Sequence, residues 1–126
     1  MRTILFATIA VALLAIPASA GTAWDGAEGT TYQGDSNLGH VEITAVDEAG
    51  TVIMVVYPDG TSGFYGITFF PPPSSSCRYT YVSGLEEGDL RRGYNWQFGD
   101  EDPEHGIPAV CASGAQVITS VAMTPK

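Results

Sequence analysis

His40-Val41-Glu42-Ile43-Thr44-Ala45-Val46-Asp47-Glu48-Ala49-Gly50-Thr51-Val52-Ile53-Met54-Val55-Val56-Tyr57-Pro58-Asp59-Gly60-Thr61 is the stretch on which the fold turns. Val41, Ile43 and Ala45 alternate with Glu42 and Thr44, the period of a strand with one apolar and one wet face. Asp47 to Gly50 then reads as a short turn, and Thr51 to Tyr57 as a second, more apolar strand, so the two make a hairpin. Pro58-Asp59-Gly60 is a strong turn signal, because proline presets φ and glycine accepts the left-handed position. Thr61 to Phe70 accordingly returns as a third antiparallel strand, with Tyr65, Ile67 and Phe69 on one face. Gly63 and Gly66 inside it mark a bulge or bend of the kind that curls a sheet.

Further along, Pro71-Pro72-Pro73 cannot donate ladder hydrogen bonds and Ser74-Ser75-Ser76 has little to bury, so the chain crosses over there. Cys77 to Val82 alternates again, with Tyr79 and Tyr81 on the face of Cys77. Leu85 to Arg92, interrupted by Gly84, Gly88 and Gly93, is a loop or a single helical turn. Tyr94 to Phe98, Ile107 to Ala112 and Gln116 to Met123 are short strands, separated by the acidic loop Asp100 to Glu104 and the Ser113-Gly114 turn. Short strands between Gly/Pro turns, with no helical period beyond the leader, predict an all-β fold, a small antiparallel β-barrel or β-sandwich.

The first twenty residues have a different character. Arg2 supplies one positive charge, Ile4 to Ile16 is an apolar run, Pro17 breaks it, and Ala18-Ser19-Ala20 presents small residues at −3 and −1 of a cleavage site. The run is too short to span a bilayer comfortably, since a membrane helix needs about 20 apolar residues. The expectation is a signal peptide at 1–20 and one β domain at 21–126, secreted or periplasmic, with no membrane span after cleavage.

The 126-residue chain carries 14 acidic residues against five Lys and Arg, a formal charge of −9, and one unit more negative once Arg2 leaves with the leader. Such a surface repels phosphate backbones, and its largest basic cluster is Arg91-Arg92, so nucleic acid is excluded as a partner. Acidity instead favours solubility, a cationic partner or a metal ion. Cys77 and Cys111 are the two cysteines. An oxidising compartment predicts one disulfide between them, and closing a loop of about 35 residues would stabilise the fold by roughly 3 to 4 kcal/mol.

Two constellations are candidates for function. Asp100, Asp102 and Glu104, with His105 beside them, have the alternating oxygen spacing that a turning loop can aim at calcium, although the loop lacks the glycine and distal glutamate of an EF-hand. Zinc would need His105 and His40 together or a distant carboxylate. Tyr94, Trp96 and Phe98 project from one face of a strand, with Asn95 and Gln97 opposite. On the surface they would make a glycan- or protein-binding platform; in the interior they would be core. No nucleophile elbow, zinc-protease helix or phosphate-cradling loop is present.

Gly21-Thr22-Ala23-Trp24-Asp25-Gly26, a tryptophan beside glycine at the start of a small exported barrel, resembles the opening of lipocalin-type ligand-binding barrels. The resemblance spans six residues, and the chain lacks the length, C-terminal helix and later motifs of those proteins, so no ligand residues are carried over. The sequence therefore predicts an exported, non-enzymatic β domain that binds a protein or glycan or acts structurally. The alternative is a metal-dependent or hydrolytic enzyme built on loop 100–105.

Overall fold

A computed structural model describes residues 28–69, 76–100 and 104–126. The leader, the 21–26 stretch and Asp102 lie outside the described residues. Eight strands follow one another: β1 (Thr31–Ser36), β2 (Gly39–Ala45), β3 (Val52–Val56), β4 (Ser62–Phe69), β5 (Ser76–Ser83), β6 (Tyr94–Gly99), β7 (Ile107–Ser113) and β8 (Gln116–Pro125). Each pairs antiparallel with its sequence neighbour, and β8 returns to β1, so the sheet closes into an up-and-down barrel. Between barrel and sandwich, the answer is a barrel.

Closure is made by few residues. Tyr32 pairs with Pro125 and Gln33 with Thr124, and the Lys126 N–H donates to the Thr31 carbonyl at 2.9 Å. Gly34 is required at this seam, because a Cβ there would stand 2.6 Å from Val121 Cγ2 and 2.7 Å from the Ala122 carbonyl oxygen. Strand β1 was not foreseen in the sequence. Its inward alternation runs through Gly34, which carries no apolar side chain to reveal it. The curl expected around Gly63 and Gly66 appears as register shifts between β4 and β5 at Phe64/Tyr65 and at Ile67/Phe69.

The inner positions of the strands fill the barrel. Val41, Ile43, Ile53, Val55, Tyr65, Tyr79, Trp96, Phe98, Ile107 and Met123 are fully buried and form one cluster. An eight-stranded barrel is just wide enough to be filled by side chains, and the largest of those that fill it here are aromatic, Trp96, Tyr57, Tyr65, Tyr79 and Phe98. Tyr79 and Phe98 meet edge to face at 5.6 Å, a favoured geometry for ring quadrupoles. The outer face carries Gln33, Asp35, His40, Glu42, Asn95, Gln97 and Thr124. Among the described residues no helix is long and apolar enough to cross a membrane.

The expected Cys77–Cys111 disulfide is corrected by the register. Cys77 lies opposite Phe98, Cys111 lies opposite Trp96, and the whole of β6 runs between them. Adjacent strands are about 4.8 Å apart, so the two Cα atoms are on the order of 9 Å apart before their stagger is added, beyond the about 7 Å that a bridge can span. Neither is part of a disulfide, and both thiols are fully buried on the inner face. They behave as small hydrophobes filling the space beside the aromatic rings.

Candidate functional site

An up-and-down barrel sends alternate connections to opposite ends. The β1–β2, β3–β4, β5–β6 and β7–β8 connections share one end; the other end carries the β2–β3, β4–β5 and β6–β7 connections. The first end is covered by the segment 84–93, which turns back over the mouth like a strap. It leaves β5 at Gly84, where φ is +110° and an added Cβ would stand 2.9 Å from the Ser62 carbonyl oxygen. Leu85 then drops into the mouth and is buried, and its N–H donates to Tyr81 Oη at 3.1 Å. A 3-10 turn at Leu90–Gly93 ends the strap, its first N–H groups capped by Asp89, which accepts from the Arg91 N–H at 2.8 Å. The loop or single turn expected at Leu85 to Arg92 is thus a loop ending in one tight turn.

Beneath the strap a chain of hydrogen bonds runs out of the core. Trp96 Nε1 donates to Tyr57 Oη at 3.3 Å, Tyr57 Oη meets Tyr65 Oη at 2.5 Å, and Tyr65 Oη donates to the Arg91 carbonyl at 3.2 Å. Because the Tyr65 proton goes to that carbonyl, the Tyr57 hydroxyl must donate to Tyr65. Each hydroxyl therefore accepts one bond and donates one, an arrangement in which successive bonds polarise each other. Burial pushes the Tyr57 phenol up to about 12 and the Tyr65 phenol above its usual range, so both stay protonated and able to donate.

The Arg91 side chain closes the assembly from outside. Its guanidinium lies 4.4 Å over the Tyr57 ring, a cation–π contact. One edge forks onto Asp89, Nε to Oδ1 at 3.0 Å and Nη2 to Oδ2 at 2.6 Å. The other reaches Asp59 less tightly, at 3.4 Å to Oδ1 and 3.3 Å to Oδ2. The carboxylates, Asp89 above all, raise the affinity of Arg91 for its proton. Asp59 is fixed at the tip of the β3–β4 turn by the Thr61 hydroxyl and N–H, which with Arg91 hold its carboxyl down to about 2. Leu38, Tyr57, Pro58, Asp59 and Arg91 line a recess of about 170 Å³ that opens at this end.

The residues singled out in the sequence fall elsewhere. Trp96 and Phe98 are fully buried and Tyr94 packs against the core on the same inward face, so they form no surface platform. Asn95 and Gln97 point outward, where Gln97 Nε2 donates to Asn95 Oδ1 at 3.3 Å. In the acidic loop, Asp100, Glu104 and His105 are exposed, and His105 stands 3.6 Å from Glu104. Among the described residues no group of three or more His, Cys, Asp and Glu side chains is arranged to hold a metal ion. His40 lies between Asp35 at 3.1 Å and Glu42 at 3.3 Å, and their hydrogen bonds raise its pKa. A wider, open groove of about 430 Å³ over β7 and β8 is lined by Pro108, Val110, Ala122 and other small or apolar residues with His105 at its edge. No set of converging polar groups accompanies it.

Sequence reasoning missed Tyr57, Tyr65, Asp59, Asp89 and Arg91 as a group. Asp59 carried a turn signal and Asp89-Leu90-Arg91 has cap spacing, but only the meander topology places the β3–β4 and β5–β6 connections at one end. Compared with known protein families, curated proteins and solved structures, the chain matches none.

Proposed function

We propose that this chain is an exported, non-enzymatic binding domain that recognises its partner with the strap-covered end of the barrel. One observation carries the reading. At this end the hydrogen-bonded aromatic chain of the interior continues, through Arg91, to a recess open to solvent. The groups that converge there hold one another in fixed positions, as a recognition site requires; they include no paired nucleophile and base of the kind that acyl or phosphoryl transfer needs. Export is supported by the Arg2, Ile4–Ile16 and Ala18-Ser19-Ala20 pattern.

The test is a shift map. The protein is expressed with its leader, recovered after processing, labelled with 15N and titrated with small amines, carboxylates and sugars in turn. Perturbations should gather on residues 36–39, 57–61 and 84–93 and on the Trp96 indole. Perturbations gathered on 104–123, or none with any class, would contradict the proposal. A melting midpoint raised by calcium or zinc and lowered by EDTA would favour the metal-dependent alternative instead.

A further inference from the structure

Resting on that reading of the barrel end, we propose that the recess is a lysine site: it takes the side-chain ammonium of a lysine on a basic partner protein, with Asp59 as counter-ion. The charges decide the sign of the ligand. Arg91 and Asp89 are a matched pair joined at 2.6 Å and 3.0 Å, and both are largely buried. That leaves the charge of Asp59, which is more than half exposed at the recess rim and meets Arg91 only at 3.3 to 3.4 Å. Glu86 and Glu87 are exposed on the strap, and Arg92 is paired with Glu87 at 2.8 Å. A chain of formal charge −9 draws cations toward such a mouth and slows the approach of anions.

The acceptor geometry selects between the two basic side chains. Asp59 Oδ1 already accepts from the Thr61 N–H, the Thr61 hydroxyl and Arg91 Nη1. Among the described residues Oδ2 accepts from Arg91 Nη2 alone, at 3.3 Å. A planar guanidinium fork wants two acceptor oxygens side by side, whereas a compact ammonium on a flexible stem needs one. Leu38 and Pro58 form apolar walls along which a four-carbon stem can lie while its charged head stays at the rim. An anionic ligand finds no comparable welcome, because both edges of Arg91 already face carboxylates.

The experiment compares two peptides, acetyl-Gly-Lys-Gly-amide and the same peptide acetylated on Nζ, titrated into the processed 15N-labelled protein. The lysine peptide should shift Leu38, Asp59, Thr61 and the Arg91 Nε–H, and the neutral peptide should leave them in place. D59N should weaken the lysine peptide by roughly tenfold, because the counter-ion is lost. Asn keeps an oxygen for Thr61, so the turn survives and D59N should melt close to wild type. Equal binding of the acetylated peptide, or unchanged binding by folded D59N, overturns the lysine assignment. If sugars or carboxylates shift the strap end while the lysine peptide does not, the end remains the recognition surface and the lysine assignment fails. If nothing shifts that end, both proposals fail together.

Discussion

The two ends of the barrel are built on different plans. At the strap end, polar atoms are drawn inward: two phenols, an indole and a carbonyl form one chain under a guanidinium held by two carboxylates. At the opposite end Asp47 closes a local turn, and one core phenol, Tyr79, reaches that turn from inside. Asp47 accepts from the Thr51 N–H at 2.8 Å, the Val52 N–H at 3.1 Å and the Thr51 hydroxyl, and the Tyr79 hydroxyl donates to the Gly50 carbonyl. The acidic loop, the densest run of charge in the sequence, leaves Asp100, Glu104 and His105 in solvent. Density of ligand-type residues along the chain is therefore a poor guide to a site.

The largest effect should come from cutting the chain at its root. Trp96→Ala removes a fully buried indole and the donor to Tyr57, and should cost about 3–5 kcal/mol in urea unfolding. A loss under about 1 kcal/mol would mean that the interior is not packed around this ring.

Next in size is the contrast between the ends themselves. Arg91→Ala strips the largely buried Asp89 carboxylate of its partner and uncovers Tyr57, so a loss of roughly 1.5–3 kcal/mol is expected. Asp47→Ala at the other end breaks a local turn and should cost about 1 kcal/mol. Equal losses would erase the distinction.

Alkali probes the buried acids. Burial lifts the Cys111 thiol and the Tyr57 phenol, each up to about 12, above their values in the unfolded chain. The unfolded chain therefore releases these protons first. Stability should hold below about pH 9 and fall as the pH climbs toward 12, by up to about 1.4 kcal/mol per pH unit for each group. Cys111→Ala should shallow the alkaline limb of a pH–stability profile; an unchanged limb would show that the thiol is not held in the apolar interior.

The smallest effect is a null. A melt with and without a thiol reductant should give the same midpoint, because Cys77 and Cys111 flank β6 and carry no bridge. A midpoint lowered by reductant would reinstate the disulfide.

How much of this was legible depends on where the controlling forces act. Strands β2 to β8 stood out because their alternation is local: Val41, Ile43 and Ala45 point inward for the same reason they alternate in sequence. Strand β1 did not, since Gly34 answers to Val121 and Ala122 across the seam. The choice between barrel and sandwich, the separation of the two cysteines and the meeting of Asp59 with Arg91 are all matters of which strands neighbour which. The composition could say that Trp96 was large enough to be core, but not that its indole N–H would begin a hydrogen-bonded path to the surface.

That path is measured most directly by hydrogen exchange at the Trp96 indole N–H, told apart from the Trp24 signal with Trp24→Phe. In the wild type it should exchange as slowly as the core amides of β6. In Arg91→Ala it should exchange much faster while the core amides of β2 and β3 keep their protection, because the mouth opens without the barrel unfolding. Fast indole exchange in the wild type, or identical protection in both proteins, would contradict the account.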